Sequence, residues 1–132
     1  METNVNNKCN AFTSLEQSKK LAEILPLKSA DMRYAPFGDT HPWVWGGDVK
    51  LLEKDSVPCW SLAALLEQLP CEICDDEGKT GNISIYNEND KYQLVYNSSF
   101  YEDFDDIETD VHENLVDACV SMIESLYELN LI

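Results

Sequence analysis

The chain has 132 residues, 44% of them apolar, with three tryptophans and a formal charge of −16 from 25 acids and nine bases. That length suits one domain able to bury its own core, and the apolar content argues against an intrinsically disordered chain despite the charge. Such an excess of carboxylates argues against direct binding to nucleic acid or to an anionic membrane, because counterion release requires clustered lysine and arginine.

Residues 1–12 are polar and rich in asparagine, and they read as a flexible N-terminal arm. Residues 13–132 read as a single α+β domain. The amino terminus has no basic segment followed by an apolar run, and no apolar stretch is long enough to span a bilayer. The expectation is a cytoplasmic protein.

A first helix is expected from Thr13, with Thr13 and Glu16 at capping-box spacing, an apolar stripe of Leu15, Leu21, Ala22 and Leu25, and Pro26 as its stop. A hairpin is expected next. Trp43-Val44-Trp45 alternates as a strand does, Gly46-Gly47 suits a tight turn, and Val49–Leu52 would be the returning strand. The run "SVPCWSLAALLEQLP" predicts a second helix with Pro58 in its first turn and Leu62, Leu65, Leu66 and Leu69 on one face.

"NISIY" and "YQLVY" then predict a second hairpin turning through residues 87–90, with Tyr86, Tyr92 and Tyr96 placed to pair across it. The last helix is expected from the capping residue Asn114, with Asp117 three positions on and a stripe of Leu115, Cys119, Met122, Ile123, Leu126 and Leu129. These elements predict α+β architecture: a small antiparallel sheet of two hairpins with about three helices packed on one face.

The phrases "VPCWSLAALLEQLP" and "ENLVDACVSMIESLYELNLI" resemble those of small acidic proteins carried by bacteriophages and mobile elements of gut Bacteroidetes-type bacteria. The likeness extends more loosely to "TSLEQSKKLAEIL" and the second hairpin, and departs at Leu115, where proline would be expected after the capping asparagine. It implies a bacterial or phage cytoplasm and an accessory role, and it brings no activity and no catalytic residues.

Charge is concentrated near the C-terminus. Residues 92–132 hold ten of the acids and none of the bases, and "SFYEDFDDIETDVHEN", residues 99–114, holds seven carboxylates. As a strand this stretch would set alternate carboxylates about 7 Å apart along one face, near the phosphate spacing of a DNA strand. As a helix it would gather Phe100, Phe104, Ile107 and Val111 on one face and leave the acids on the other. Either way the carboxylates meet water. The surface of Glu102, Asp103, Asp105, Asp106, Glu108 and Asp110 is the candidate contact for a basic protein partner. Imitation of a polyanion such as DNA, directed at a host nucleic-acid-binding or defence protein, is the alternative.

Other constellations are weaker. The acids lack the glycine and closing glutamate of a calcium loop. Cys71 and Cys74 form C-x-x-C without a second such pair, so zinc would need Cys59, Cys119, His41 or His112 to converge. The five cysteines are odd in number and irregular in spacing, and they read as reduced thiols, with Cys59 and Cys119 inside helices as small core residues. Trp43 and Trp45, with His41, would share a strand face and offer an aromatic patch if exposed, or a structural contact between copies of the chain. Catalytic motifs are missing: there is no G-x-S-x-G, no phosphate-binding glycine loop and no H-E-x-x-H. The sequence therefore predicts a non-enzymatic protein with no metal site and no cofactor.

Overall fold

The computed structural model describes residues 11–34, 43–44, 56–98 and 104–132. It shows the α+β class expected from the sequence, with three helices and seven strands among these residues. The strands divide between a three-stranded sheet and a four-stranded sheet, and the chain divides into two compact units, residues 11–68 and 69–132.

The first unit opens with α1, Leu15–Leu21, which packs against β3, Val57–Cys59. Its cap is Ser14, one residue later than expected. The Gln17 amide donates to Ser14 Oγ at 3.1 Å, and the Ser14 amide donates to Gln17 Oε1 at 2.9 Å, which completes a capping box. Thr13 is unavailable for that role because its side chain is buried and engaged elsewhere. Its Oγ1 accepts from the Trp60 amide at 3.2 Å and shares a hydrogen bond with Ser18 Oγ at 2.7 Å. The expected apolar stripe is accordingly incomplete: Leu21 and Leu25 are buried, whereas Leu15 is exposed.

Three strands follow in the spatial order β2-β1-β3, with β1 at Met32–Tyr34 and β2 at Trp43–Val44, both pairings antiparallel. Trp43–Val44 thus pairs with Met32–Arg33. The expected partner strand Val49–Leu52 and the Gly46-Gly47 turn lie outside the described residues.

Pro58 lies in β3 opposite Arg33 and not in the first turn of a helix. A proline has no amide for the ladder, and β3 is an edge strand, where that loss is tolerated. Cys59 is therefore also a strand residue. Helix α2 starts later, at Leu62–Gln68, with Ser61 Oγ accepting from the Ala64 amide at 3.2 Å. Of its expected stripe, Leu65 and Leu69 are buried but Leu66 is exposed.

Trp60 is fully buried in this unit, its Nε1 donating to Ser29 Oγ at 2.9 Å. Tyr34 is also buried, its hydroxyl donating to the Thr13 carbonyl at 2.7 Å. Ala11 and Phe12, the end of the expected arm, are also engaged: Phe12 bridges Ser61, and the Ala11 carbonyl accepts from the Leu62 amide. Residues 1–10 lie outside the described residues.

The second unit is a four-stranded antiparallel sheet in sequential order: β4 (Glu72–Cys74), β5 (Thr80–Glu88), β6 (Lys91–Asn97) and β7 (Ile107–Glu108). The β5–β6 hairpin turns on two residues, Asn89 and Asp90, both at positive φ, the two-residue turn that asparagine and aspartate tolerate best after glycine. This turn fixes the register, placing Tyr86 opposite Gln93, Tyr92 opposite Asn87 and Tyr96 opposite Ile83. The three tyrosines therefore do not face one another directly.

Helix α3, Leu115–Glu128, packs against β6. Asn114 caps it as expected, accepting from the Asp117 amide at 2.8 Å, so leucine at position 115 begins a helix without the proline of the resembled pattern. Cys119, Met122, Ile123 and Leu126 form the buried stripe, joined by Val116, Ala118 and Val120, while Leu129 at the end is exposed. Asn130 then takes positive φ, and the Leu131 amide donates back to the Leu126 carbonyl at 2.8 Å, which closes the helix.

Gly81 in β5 is the tight point of this sheet. A Cβ built there would lie 2.5 Å from the ring of Phe104, which is itself buried. The ring covers the bare backbone, as aromatic side chains do over strand glycines. Gly81→Ala is expected to cost about 1–3 kcal/mol by overpacking, and to cost less in a Phe104→Ala background. Urea denaturation of the four proteins measures both costs, and equal costs would show that Phe104 is not the obstruction.

Candidate functional site

The acidic segment completes the second sheet. Its residues pair with β6 at two places: Ile107 and Glu108 with Tyr96 and Val95, then His112 with Tyr92. The second pairing is closed by two backbone bonds, Tyr92 N–H to the His112 carbonyl at 2.7 Å and His112 N–H to the Tyr92 carbonyl at 2.8 Å. Between the two places β6 has two residues, Gln93 and Leu94, and the acidic segment has three, 109–111. One residue too many on one strand is a β-bulge.

Thr109 makes the bulge possible. Its amide donates to the Leu94 carbonyl at 3.0 Å, and its Oγ1 accepts the Leu94 amide at 3.1 Å in place of a backbone carbonyl. The same hydroxyl donates to the Asp110 carbonyl at 2.8 Å, and Gln93 Nε2 donates to the Thr109 carbonyl at 2.8 Å. Thr109 and Leu94 are both buried, so without that hydroxyl a buried amide would lack a partner.

Neither Thr109 nor Gln93 stood out in the sequence. The available signal was one threonine inside a run of acids, which marks a residue that can face inward and still bond the backbone.

The helical option for this segment does not hold over residues 104–111. Phe104 is buried, Ile107 is half-buried in a strand and Val111 is exposed, so the four-three-four spacing does not define one buried face. Pairing wins because the buried amides of β6 need acceptors, which a detached helix would not supply.

The carboxylates of Asp105, Asp106, Glu108 and Asp110 are all exposed. Asp106, just before β7, and Glu108 within it are two residues apart, a step of about 7 Å along extended chain. Ile107 is half-buried, Thr109 buried and Asp110 exposed, so the in–out alternation continues through Asp110 and breaks at the exposed Val111. Glu102, Asp103 and Phe100 lie outside the described residues.

The thiols separate into two classes. Cys71 and Cys74 are exposed, at the start and end of the short run that contains β4, whereas Cys59 and Cys119 are fully buried. Burial pushes the Cys119 thiol up to about 12. It raises Cys59 as well, against the opposing pull of hydrogen bonds from Thr13 and Ser18. A thiol held neutral this way is a poor nucleophile and a poor ligand.

Among the described residues, no group of three or more His, Cys, Asp and Glu side chains is placed to hold a metal ion. His112 has its Nε2 buried with no hydrogen-bond partner among the described residues. Trp43 contributes a strand position in the first unit, while Trp45 and His41 lie outside the described residues.

No helix among the described residues is long and apolar enough to cross a membrane. Comparison of the chain with protein-family models, with curated proteins and with solved structures finds no match.

Thr109→Val should cost about 1–3 kcal/mol by stranding the Leu94 amide, whereas Thr109→Ser should retain most of the stability. Hydrogen exchange at Leu94 is the direct readout: faster in the valine variant, near wild type in the serine variant. For the thiols, iodoacetamide at pH 7.5 should alkylate Cys71 and Cys74 in the folded chain and spare Cys59 and Cys119 until denaturant is added. Peptide mass spectrometry reads each site, and rapid labelling of Cys119 in the native chain would contradict its burial.

Proposed function

We propose that the protein is a non-enzymatic binding protein whose exposed acidic edge, Asp105, Asp106, Glu108 and Asp110 with Glu102 and Asp103 before them in sequence, contacts a basic surface on another protein. The observation that carries this reading is the division of labour along β7 and the bulge. Thr109 and Phe104 are buried and hold the segment to the sheet, while each described carboxylate between them faces solvent. Carboxylates mounted on a strand are displayed in fixed positions, so a cationic partner finds them already arranged.

Two features weigh on the alternatives. Imitation of a nucleic-acid backbone calls for a long, evenly spaced row, and the in–out alternation of this segment ends at the exposed Val111. Charge on an edge strand also has a purely protective use, since it discourages strand addition by a second copy. A homo-oligomer built through this edge would have to bring like charges together.

A decalysine peptide is the test probe, with binding to the full chain followed by calorimetry at 50 and 300 mM salt. The six-amide variant (E102Q, D103N, D105N, D106N, E108Q, D110N) should bind at least about tenfold more weakly at low salt. A control variant amidated at the exposed Glu16, Glu23, Glu67, Glu72, Asp76 and Glu128 removes the same charge elsewhere and should bind nearly as wild type. Equal loss in both variants would reduce the effect to net charge and overturn the reading. A tight dimer by sedimentation at micromolar concentration would favour the structural alternative instead.

A further inference from the structure

The β5–β6 hairpin carries an open hollow of about 270 Å³, its walls formed by Tyr86, Tyr92, Gln93 and Val111 with Glu88 and Lys91, a facing pair in the register. Its volume falls below the roughly 300–1,000 Å³ of sites that enclose drug-sized molecules. It has the capacity of a single side chain. Tyr86, on the same face of the hairpin as Glu88, Lys91 and Gln93, is 51% exposed and Val111 is 57% exposed, so one phenol ring and an aliphatic group are presented to solvent.

The charge around the hollow is unbalanced. Lys91 lies opposite Glu88 in the hairpin, and those two charges offset each other. Asp90 immediately precedes Lys91, and Asp110 immediately precedes Val111; both are exposed. Residues 92–132, which supply Tyr92, Gln93 and Val111, contain no lysine or arginine.

We propose that this hollow receives an arginine side chain from a basic partner protein. The proposal rests on the reading of the acidic edge as the contact and supplies the short-range part of it. A guanidinium is flat, weakly hydrated and always charged. It stacks on aromatic faces and offers paired donors to carboxylates at the same time. A lysine ammonium is compact and strongly hydrated, and gains less from the Tyr86 ring. An aliphatic side chain gains nothing from the surrounding acids.

The probes are two blocked ten-residue peptides, one alternating arginine with glycine and one alternating lysine with glycine, each titrated into the full chain at 50 mM salt and followed by amide chemical shifts. The arginine peptide is expected to bind about two- to fivefold more tightly, the size of an exposed cation–π contact, with the largest shifts at residues 86, 91–93 and 111.

Tyr86→Ala should abolish that preference and Tyr86→Phe should retain it. Val111→Ser, at an exposed position outside the strands, should lower the preference without touching the hairpin. Equal affinity for the two peptides, or a preference indifferent to Tyr86→Ala, overturns the hollow; if binding still weakens in the six-amide variant, the acidic-edge reading survives alone. A preference lost in Tyr86→Ala but unchanged in the six-amide variant supports the hollow and overturns the acidic edge. Failure of both peptides to bind overturns both.

Discussion

The second unit depends on one substitution of partners: the Thr109 hydroxyl stands where a backbone carbonyl would otherwise accept the Leu94 amide. Strand β6 is buried at Leu94, Val95 and Tyr96, and a buried strand cannot leave its amides unpaired. The segment that satisfies it is the most acidic in the chain. A regular strand there would have obliged every second residue to turn inward, and with acids at 105, 106, 108 and 110 a single slip of register would bury a carboxylate. The bulge and its threonine let the chain close the sheet, with Thr109 turned inward and Asp110 left exposed. Phe104, seated over Gly81, fixes the other end of the same segment.

How much of this was legible follows from how local each signal is. The cap at Asn114 and the stripe of Cys119, Met122, Ile123 and Leu126 were readable because both lie within one helix, where neighbours are set by chain spacing. The β5–β6 hairpin was readable because Asn89 and Asp90 carry their own turn preference. Errors arose where a distant residue made the decision. Thr13 has the correct side chain for a cap, but the Trp60 amide claims its hydroxyl, and the cap passes to Ser14. Pro58 suits a helix start, but Arg33 faces it across an edge pairing and draws Val57–Cys59 into a sheet. The acidic site was visible as composition and not as geometry, because a bulge is a mismatch between two strands and neither sequence alone contains it.

The exposed acids on the edge also solve a problem the fold creates. A strand of two regular residues, followed by a bulge and ringed by carboxylates, is a poor template for another strand. Protection against self-association and attraction toward a cationic surface are therefore the same property acting on different neighbours. Long-range attraction of this kind is screened beyond roughly 8–10 Å at ordinary salt. By itself it would select partners by sign and not by shape. Discrimination needs something with direction and a surface that can be desolvated, and the hollow of the adjoining hairpin, with Tyr86 exposed beside it, offers both.

The interior follows a complementary rule. The titratable groups that the fold buries, Tyr34, Tyr96, Cys59 and Cys119, are ones that are neutral near pH 7, and burial is the leading reason that each is held further toward its neutral form. Tyr34 is pushed up to about 12. The sign of the linkage follows: stability from these groups is fully present below their unfolded pKa values, near 8.5–10, and is lost as pH rises from there through the raised folded values. Among the described residues, core titratable groups are hydroxyls and thiols whose protons stay on, and no carboxylate is buried. Under this arrangement the density of carboxylates along the edge is constrained by mutual repulsion and by the pairing to β6, and not by any demand of the core.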